Sequence, residues 1–320
     1  MYLAQRCPCC DSGALDAYPA VVAPFLAERA LQRQAERCSL LECRGCGFRF
    51  FDLRLEPPEV QRLYADYRGE SYLRVRRRHE WWYTRRINQD LGGEGEILRS
   101  RQQLIERFLR GHLELTTLRS VIDYGGDRGQ VIPPHLGQER VVLDVSGVRP
   151  VEGVTAVRTR EELGARSFAL VMCCQVLEHV SEPQQTLEEL RQLGSSESWF
   201  YLEVPLERPS LRGVVRGRVG EAYLEALLRV PPLLRLVDFY STAVRVGLGH
   251  AAPLALLKAH EHLNFFHARS LRALMERSGF EVVSCEPQGM DHAFGKVVAL
   301  SCLARLRSEA PRPAPPAATT

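Results

Sequence analysis

In this chain of 320 residues, two clusters carry side chains and intervals suited to binding a ligand or a metal. The first is a glycine turn with acids on either side. Val121-Ile122-Asp123-Tyr124-Gly125-Gly126-Asp127-Arg128-Gly129 is followed by a second apolar run that closes on an acid, Val141-Val142-Leu143-Asp144. Apolar residues that stop at glycines predict a buried strand running into a tight turn. Without Cβ atoms the backbone can bend sharply and a ligand can come close. In a βαβ unit the acid ending the next strand can bind the hydroxyls of a ribose. The pattern is that of a nucleoside-cofactor site, and the Gly-x-Gly-x-x-Gly spacing of nicotinamide-binding folds is absent. The second group is cysteine: Cys7-Pro8-Cys9-Cys10 and Cys43-Arg44-Gly45-Cys46-Gly47. Two C-x-x-C pairs, Cys7 with Cys10 and Cys43 with Cys46, can place four thiolates around a structural zinc ion. Cys9 and Cys38 are spare, as packing residues or substitute ligands. Disulfides are the alternative, disfavoured because the N-terminus carries no secretion signal.

These residues need elements to position them. Short apolar runs predict strands over 119–123, 140–145, 154–158, 169–174 and 199–204, with further strands over 280–285 and 296–303. Helical periodicity falls on 100–113, with Leu104, Ile105, Phe108 and Leu109 on one face, on 184–193 and on 269–277. Ser278-Gly279 ends the last of these. Strands alternating with helices predict an α/β fold with a mostly parallel, doubly wound sheet. The expected organisation is a cysteine module over 1–52 and a helical linker over 53–100. An α/β domain follows over 101–305, with a helical lid inserted at 206–260, and then a disordered proline-rich tail over 306–320.

Four further segments follow in order: Gln175-Val176-Leu177-Glu178-His179-Val180, Glu203-Val204-Pro205, His262-Leu263-Asn264-Phe265-Phe266, and the helix and turn over 270–281. Together with the glycine turn they resemble the class I S-adenosylmethionine-dependent methyltransferases. The likeness is greatest to the branch with Leu-Glu-His-Val after the fourth strand and Glu-Val-Pro on the fifth. The resemblance implies a Rossmann-like, seven-stranded sheet whose last two strands form an antiparallel addition. It implies that the turn from Gly125 to Gly129 packs under the methionine part of S-adenosylmethionine, that Asp123 orients it, and that Asp144 takes the ribose. Gln175 is expected beside the cofactor. Asp127 stands where the family has a glycine, and Ala169 where many members have aspartate. His179 is the first candidate for a base or acceptor-positioning group; its other reading is as a helix-packing residue. Glu203 could bind an acceptor hydroxyl or only hold a loop. The histidines His260, His262 and His267 invite a metal reading, set aside because the family segment uses its aromatics for packing and its polar residues to face the acceptor.

A cysteine-rich head before such a domain is similar to the C-methyltransferases of nucleotide-linked deoxysugars. Those relatives continue into a further C-terminal domain with no counterpart here, which leaves the acceptor and the methylated atom open. The expected activity is methyl transfer to a small polar metabolite such as a nucleotide-linked or lipid-linked sugar. The alternatives are an RNA methyltransferase using its zinc head, or a cofactor-binding protein without catalysis. The stretch from Arg74 to Arg86 interleaves arginine with aromatics; it reads first as a solvated or structural helix face, then as a grip for a small phosphate-bearing acceptor, then as an RNA surface. A net charge of only +3 gives no strong electrostatic push toward nucleic acid or membranes. The insertion reads as a lid or as a surface that rests on a membrane. No apolar run is long enough to span one, so a cytoplasmic protein is the default expectation.

Overall fold

Residues along the central strands alternate between two apolar faces, and that alternation builds the molecule around one sheet. Leu170, Met172 and Cys174 turn toward the helix Gly95–Arg110, with its buried Ile105, Phe108 and Leu109. Val171 and Cys173 turn the other way, toward Leu187 and Leu190 of the helix Pro183–Arg191 and Leu271 and Leu274 of Ala268–Arg277. A strand buried on both faces needs this two-sided apolar pattern. The computed structural model describes residues 1–91, 95–207, 211, 214–215, 217–248, 253–292 and 295–307.

The main sheet has seven strands, in the order Phe280–His292, Gly295–Leu306, Trp199–Pro205, Leu170–Cys174, Ser120–Tyr124, Glu139–Leu143 and Thr155–Val157. The last five are mutually parallel, and Gly295–Leu306 runs antiparallel to both its neighbours. This is the Rossmann-like, doubly wound, mostly parallel sheet that the sequence predicts. The two final strands are longer than expected, because they continue to pair with each other as far as His292 opposite Gly295. The first helix of the domain begins at Gly95 and ends at Arg110, slightly before the predicted span.

A second sheet has five strands in the order Lys258–Ala259, Leu15–Val22, Arg37–Cys43, Arg49–Phe51 and Asn264–Phe265. Its three central strands come from the cysteine-rich N-terminus. Both edges come from residues after 257, at the end of the expected lid insertion. Three helices, Pro57–Tyr64, Glu70–His79 and Arg85–Leu91, connect the two sheets along the chain. The insertion folds as Gly217–Arg229 and Pro231–Leu248 before the chain returns to that sheet. Leu306 still belongs to the last strand, while the rest of the expected disordered tail, from 308 on, lies outside the described residues.

Candidate active site

The carboxyl ends of the parallel strands gather the acids singled out in the sequence. Asp123, one residue before the end of Ser120–Tyr124, is fully buried, and neither carboxylate oxygen has a hydrogen-bond partner among the described residues. Burial pushes its pKa up to about 7, opposed by the charge of Arg101 and reinforced by Asp144 and Glu203. A buried carboxylate with nothing to bond is costly unless a cation or donor completes it.

The turn after it leaves no space for side chains. A Cβ on Gly126 would stand 2.1 Å from Asp123 Oδ2, and one on Gly129, at φ +69°, would stand 2.7 Å from Val154 Cγ1. Gly125, at φ +68°, packs equally closely on Val176. Asp127 takes the left-handed conformation, φ +55°, that a glycine would hold there. Its N–H donates to Asp144 Oδ2 at 2.9 Å, and the Ser146 N–H donates to Asp144 Oδ1 at 2.8 Å. Asp144 therefore braces the turn from the neighbouring strand. Burial first, and Asp144 second, raise the Asp127 pKa.

Gln175, just past Leu170–Cys174, also sits at positive φ, +59°. Its N–H donates to the Glu203 carbonyl at 2.7 Å, and its Nε2 reaches Glu203 Oε1 at 3.3 Å. Glu203 is buried and fully engaged. Arg101 donates to Oε1 from Nη2 at 2.5 Å and from Nε at 3.0 Å, and the Tyr201 hydroxyl donates to Oε2 at 3.2 Å. The structure thus places Asp123, the turn, Asp144, Gln175 and Glu203 at one sheet edge, with Glu203 satisfied by the protein's own groups.

His179 stands on the loop after the fourth strand. Its Nδ1 lies 3.0 Å from the Glu261 carbonyl oxygen. A carbonyl can only accept, so the neutral ring carries its proton on Nδ1 and leaves a lone pair on Nε2. Burial, helped by the charge of His262, lowers the His179 pKa to about 3. The Nε2 faces Glu178 Oε1 at 3.9 Å. Glu178 is fully buried, has no hydrogen-bond partner for either oxygen among the described residues, and is pushed up to about 7 by burial. The His262 ring meets the His179 ring edge-on at 4.7 Å, and its Nδ1 is 3.1 Å from Glu207 Oε2. Desolvation would neutralise His262, but the Glu207 carboxylate wins and lifts its pKa to about 9. A neutral imidazole, a carboxyl near its midpoint and an imidazolium therefore adjoin.

Neighbouring elements fix this loop. Asn264 donates from Nδ2 to the carbonyls of Leu177 (2.8 Å) and Val180 (2.7 Å), and accepts on Oδ1 from Arg54 Nη1 at 2.8 Å. Ser181 accepts from the Leu55 N–H and donates to its carbonyl, each at 2.8 Å. Tyr64 packs edge-on against His179 at 6.0 Å. Arg68 lies over the Tyr67 ring, and its charge acts on both Asp127 and His179. The histidines of the metal reading are not gathered. His260 pairs with Glu80 at 3.0 Å, His262 with Glu207, and His267 caps Ala268–Arg277.

The cysteine site forms as spaced. One sulfur from each of Cys7, Cys10, Cys43 and Cys46 lies within 4.8 Å of the others, and none is in a disulfide. The two knuckles match. The Asp11 N–H donates to the Cys7 carbonyl and the Gly47 N–H to the Cys43 carbonyl, each at 2.8 Å. Asp11 and Gly47 both adopt positive φ. Cys9 is buried beside the four, and Cys38 packs in the apolar cluster on the other face of the small sheet.

A family profile described as a methyltransferase domain matches residues 96–285, more than half of the chain. The chain belongs to this methyltransferase family. Its domain is of class I and depends on S-adenosylmethionine, and the match takes in the glycine turn, Asp144, Gln175, His179 and Glu203. Comparison with curated proteins returned no match. Among solved structures, the chain is similar to the 1,6-didemethyltoxoflavin-N1-methyltransferase of Burkholderia thailandensis. Identity there is 15%, with 82% of this chain and 95% of that one covered and a TM-score of 0.44. It is also similar to the magnesium protoporphyrin IX methyltransferase of Synechocystis, at 14% identity, 69% and 92% coverage and a TM-score of 0.39. Several residues of the candidate site carried no motif: Arg101, Arg68, Tyr64 and Glu207. Arg101 and Glu207 are found only through the carboxylate or imidazole that each one meets.

Proposed function

We propose that this methyltransferase acts on a small polar acceptor, a nucleotide-linked or lipid-linked sugar, held between the glycine turn and the pair His179 and His262. The reading rests above all on Asp123. Its two orphaned oxygens stand beside a turn where any Cβ would collide, and that combination fits a cationic amino-acid arm attached to a nucleoside. Asp123 would take the ammonium, the turn from Gly125 to Gly129 would pass beneath, and Asp144 and Gln175 would flank the nucleoside. S-adenosylmethionine supplies an electrophilic methyl carbon when bound. The protein's share of the work is positioning, since an in-line displacement gains most from a held nucleophile.

On the acceptor side, the His179 Nε2 lone pair can accept a hydrogen bond from an acceptor hydroxyl and orient it, while the adjoining Glu178, pushed up to about 7, is the better-matched group to take a proton. The imidazolium of His262 can steady negative charge that develops on the acceptor. Glu203 is better supported as the residue that fixes Arg101 and Gln175 than as a ligand for the acceptor. Cys7, Cys10, Cys43 and Cys46 fit a structural zinc ion: four free sulfurs, closed knuckles and no position left over for chemistry.

Calorimetry with S-adenosylhomocysteine tests the core of the proposal. Saturable binding that Asp123→Asn weakens is the expected result. No binding in metal-replete protein would favour a fold that has lost its cofactor. Labelled donor screened against sugar nucleotides, lipid-linked sugars and RNA then separates the acceptor classes.

A further inference from the structure

The helix Pro231–Leu248 is apolar on two opposite faces. Inward, Leu234 joins Val21, Leu224 and Leu227, while Asp238 is held by Lys258. Outward, Leu233, Leu236 and Tyr240 are 42%, 63% and 41% exposed, spaced three and four residues apart, with Val230 exposed just before them. An apolar stripe left in water at helical spacing marks an interaction surface. Phe239 continues it to Trp81, whose ring lies 4.7 Å away and which is itself 63% exposed. Beyond Trp81 opens a recess of about 490 Å³ whose walls include Arg74, Arg77, Arg78 and Arg85. Arg78 is paired with Glu28 and Arg85 with Glu70. Arg74 and Arg77 have no hydrogen bond or ion pair among the described residues.

We propose that this continuous face, from Leu233 through Trp81 to the arginine recess, docks on an anionic lipid bilayer. Aliphatic residues, an interfacial indole and uncommitted arginines side by side are what such a surface binds. No described helix is long and apolar enough to cross a membrane, so the helix would lie on it. RNA would use the arginines but gives the stripe Leu233–Leu236–Tyr240 nothing to bury against. A second copy could cover the stripe but supplies no counter-charge for the arginine recess beyond Trp81. The consequence rests on the lipid-linked form of the proposed acceptor. The helix Glu70–His79 carries Arg74 and Arg77 outward, while Tyr72 and Arg76 turn inward onto Glu261, the neighbour of His262. One helix would thus separate the bilayer from the acceptor pocket.

Flotation of the whole protein with phosphatidylcholine vesicles, with and without phosphatidylglycerol, tests this. Binding to the anionic vesicles only, weakened by salt, is expected. Each arginine near such a surface is worth roughly fivefold, so the double variant Arg74→Glu/Arg77→Glu should bind at least about thirtyfold more weakly. Leu236→Asp should also lose binding. Both variants should keep the affinity for S-adenosylhomocysteine, so loss of docking can be told apart from misfolding or from failure of the methyltransferase reading. Equal uptake by neutral and anionic vesicles, uptake by neither, or variants that bind as well as the parent would overturn the proposal. So would RNA binding that needs the same arginines without vesicle binding, or a dimer that Leu236→Asp dissociates.

Discussion

Asp123 and Glu203 are both buried acids at the carboxyl ends of strands, and their surroundings give them opposite characters. Glu203 is saturated by Arg101, Tyr201 and Gln175, whereas neither oxygen of Asp123 has a hydrogen-bond partner among the described residues. Glu203→Gln should therefore act on stability. It strands a buried guanidinium, at a cost of about 3–5 kcal/mol, visible in thermal or denaturant unfolding. Asp123→Asn should act on binding. It removes a charge-assisted contact worth about 1.5–3 kcal/mol, read as a roughly tenfold to hundredfold rise in the Kd for S-adenosylhomocysteine. The pH dependence has a definite sign. With a pKa of about 7, Asp123 is protonated in acid, and a cationic ligand needs it ionised. Affinity should fall below pH 7 by up to about tenfold per unit, level off above it, and lose this dependence in Asp123→Asn. For folding the sign reverses. A raised carboxyl pKa favours the native state in acid, and that advantage is lost as pH rises from the ordinary carboxylate range through 7. Asp123→Asn should accordingly raise the melting temperature at pH 8 while it weakens binding.

Among the elements, the turn between Ser120–Tyr124 and Asp144 is the one whose form was readable in advance. Its glycines announced a close approach, and Gly125 and Gly129 do sit at positive φ. Asp127 looked like a break in the pattern, yet it adopts the same left-handed geometry and adds a bond to Asp144. Asp127→Gly should therefore be tolerated. Relief of the left-handed strain stabilises by up to about 1 kcal/mol; the backbone bond to Asp144 is kept. Gly126→Ala should not be tolerated: its methyl would meet the Asp123 carboxylate, and overpacking of this kind costs about 1–3 kcal/mol along with cofactor affinity. Gly13→Ala, with open space around its Cβ position, is the control in the same unfolding and calorimetry experiments. The insertion was less readable. Its leucines and arginines predicted helices, and two formed, but nothing in their period announced that residues 258–265 would return as sheet edges. Such pairing depends on backbone groups far apart in the chain, which leave no local signature.

For the molecule as a whole, that return joins the cysteine cluster to the loop bearing His179. Phe266 packs at a tilt against Phe48, with ring centres 4.8 Å apart, a Cβ on Gly47 would stand 2.8 Å from His267 Nε2, and Arg54 reaches Asn264, which clamps the loop bearing His179. With the proposed zinc in place, its removal should be felt well beyond the knuckles. Chelator treatment, or Cys43→Ser, should lower the melting temperature and also increase amide exchange over 258–265 and 175–181, as mass spectrometry can resolve. Exchange confined to residues 1–52 would separate the cysteine unit from the site.

Local spacing was enough to encode the strands of the main sheet and their glycine turn, the acids on either side of it, and the paired cysteines. Each depends on residues a few positions apart, where the pleat, the helical turn and backbone sterics set the geometry. Packing between distant segments settled which buried acid keeps its oxygens unbonded and which is paired with Arg101. It also decided that His179 is held neutral beside a charged His262, and that the cysteine-rich sheet is completed by strands from beyond residue 257. Desolvation and long-range pairing set those outcomes, and both are properties of the neighbours that folding brings together.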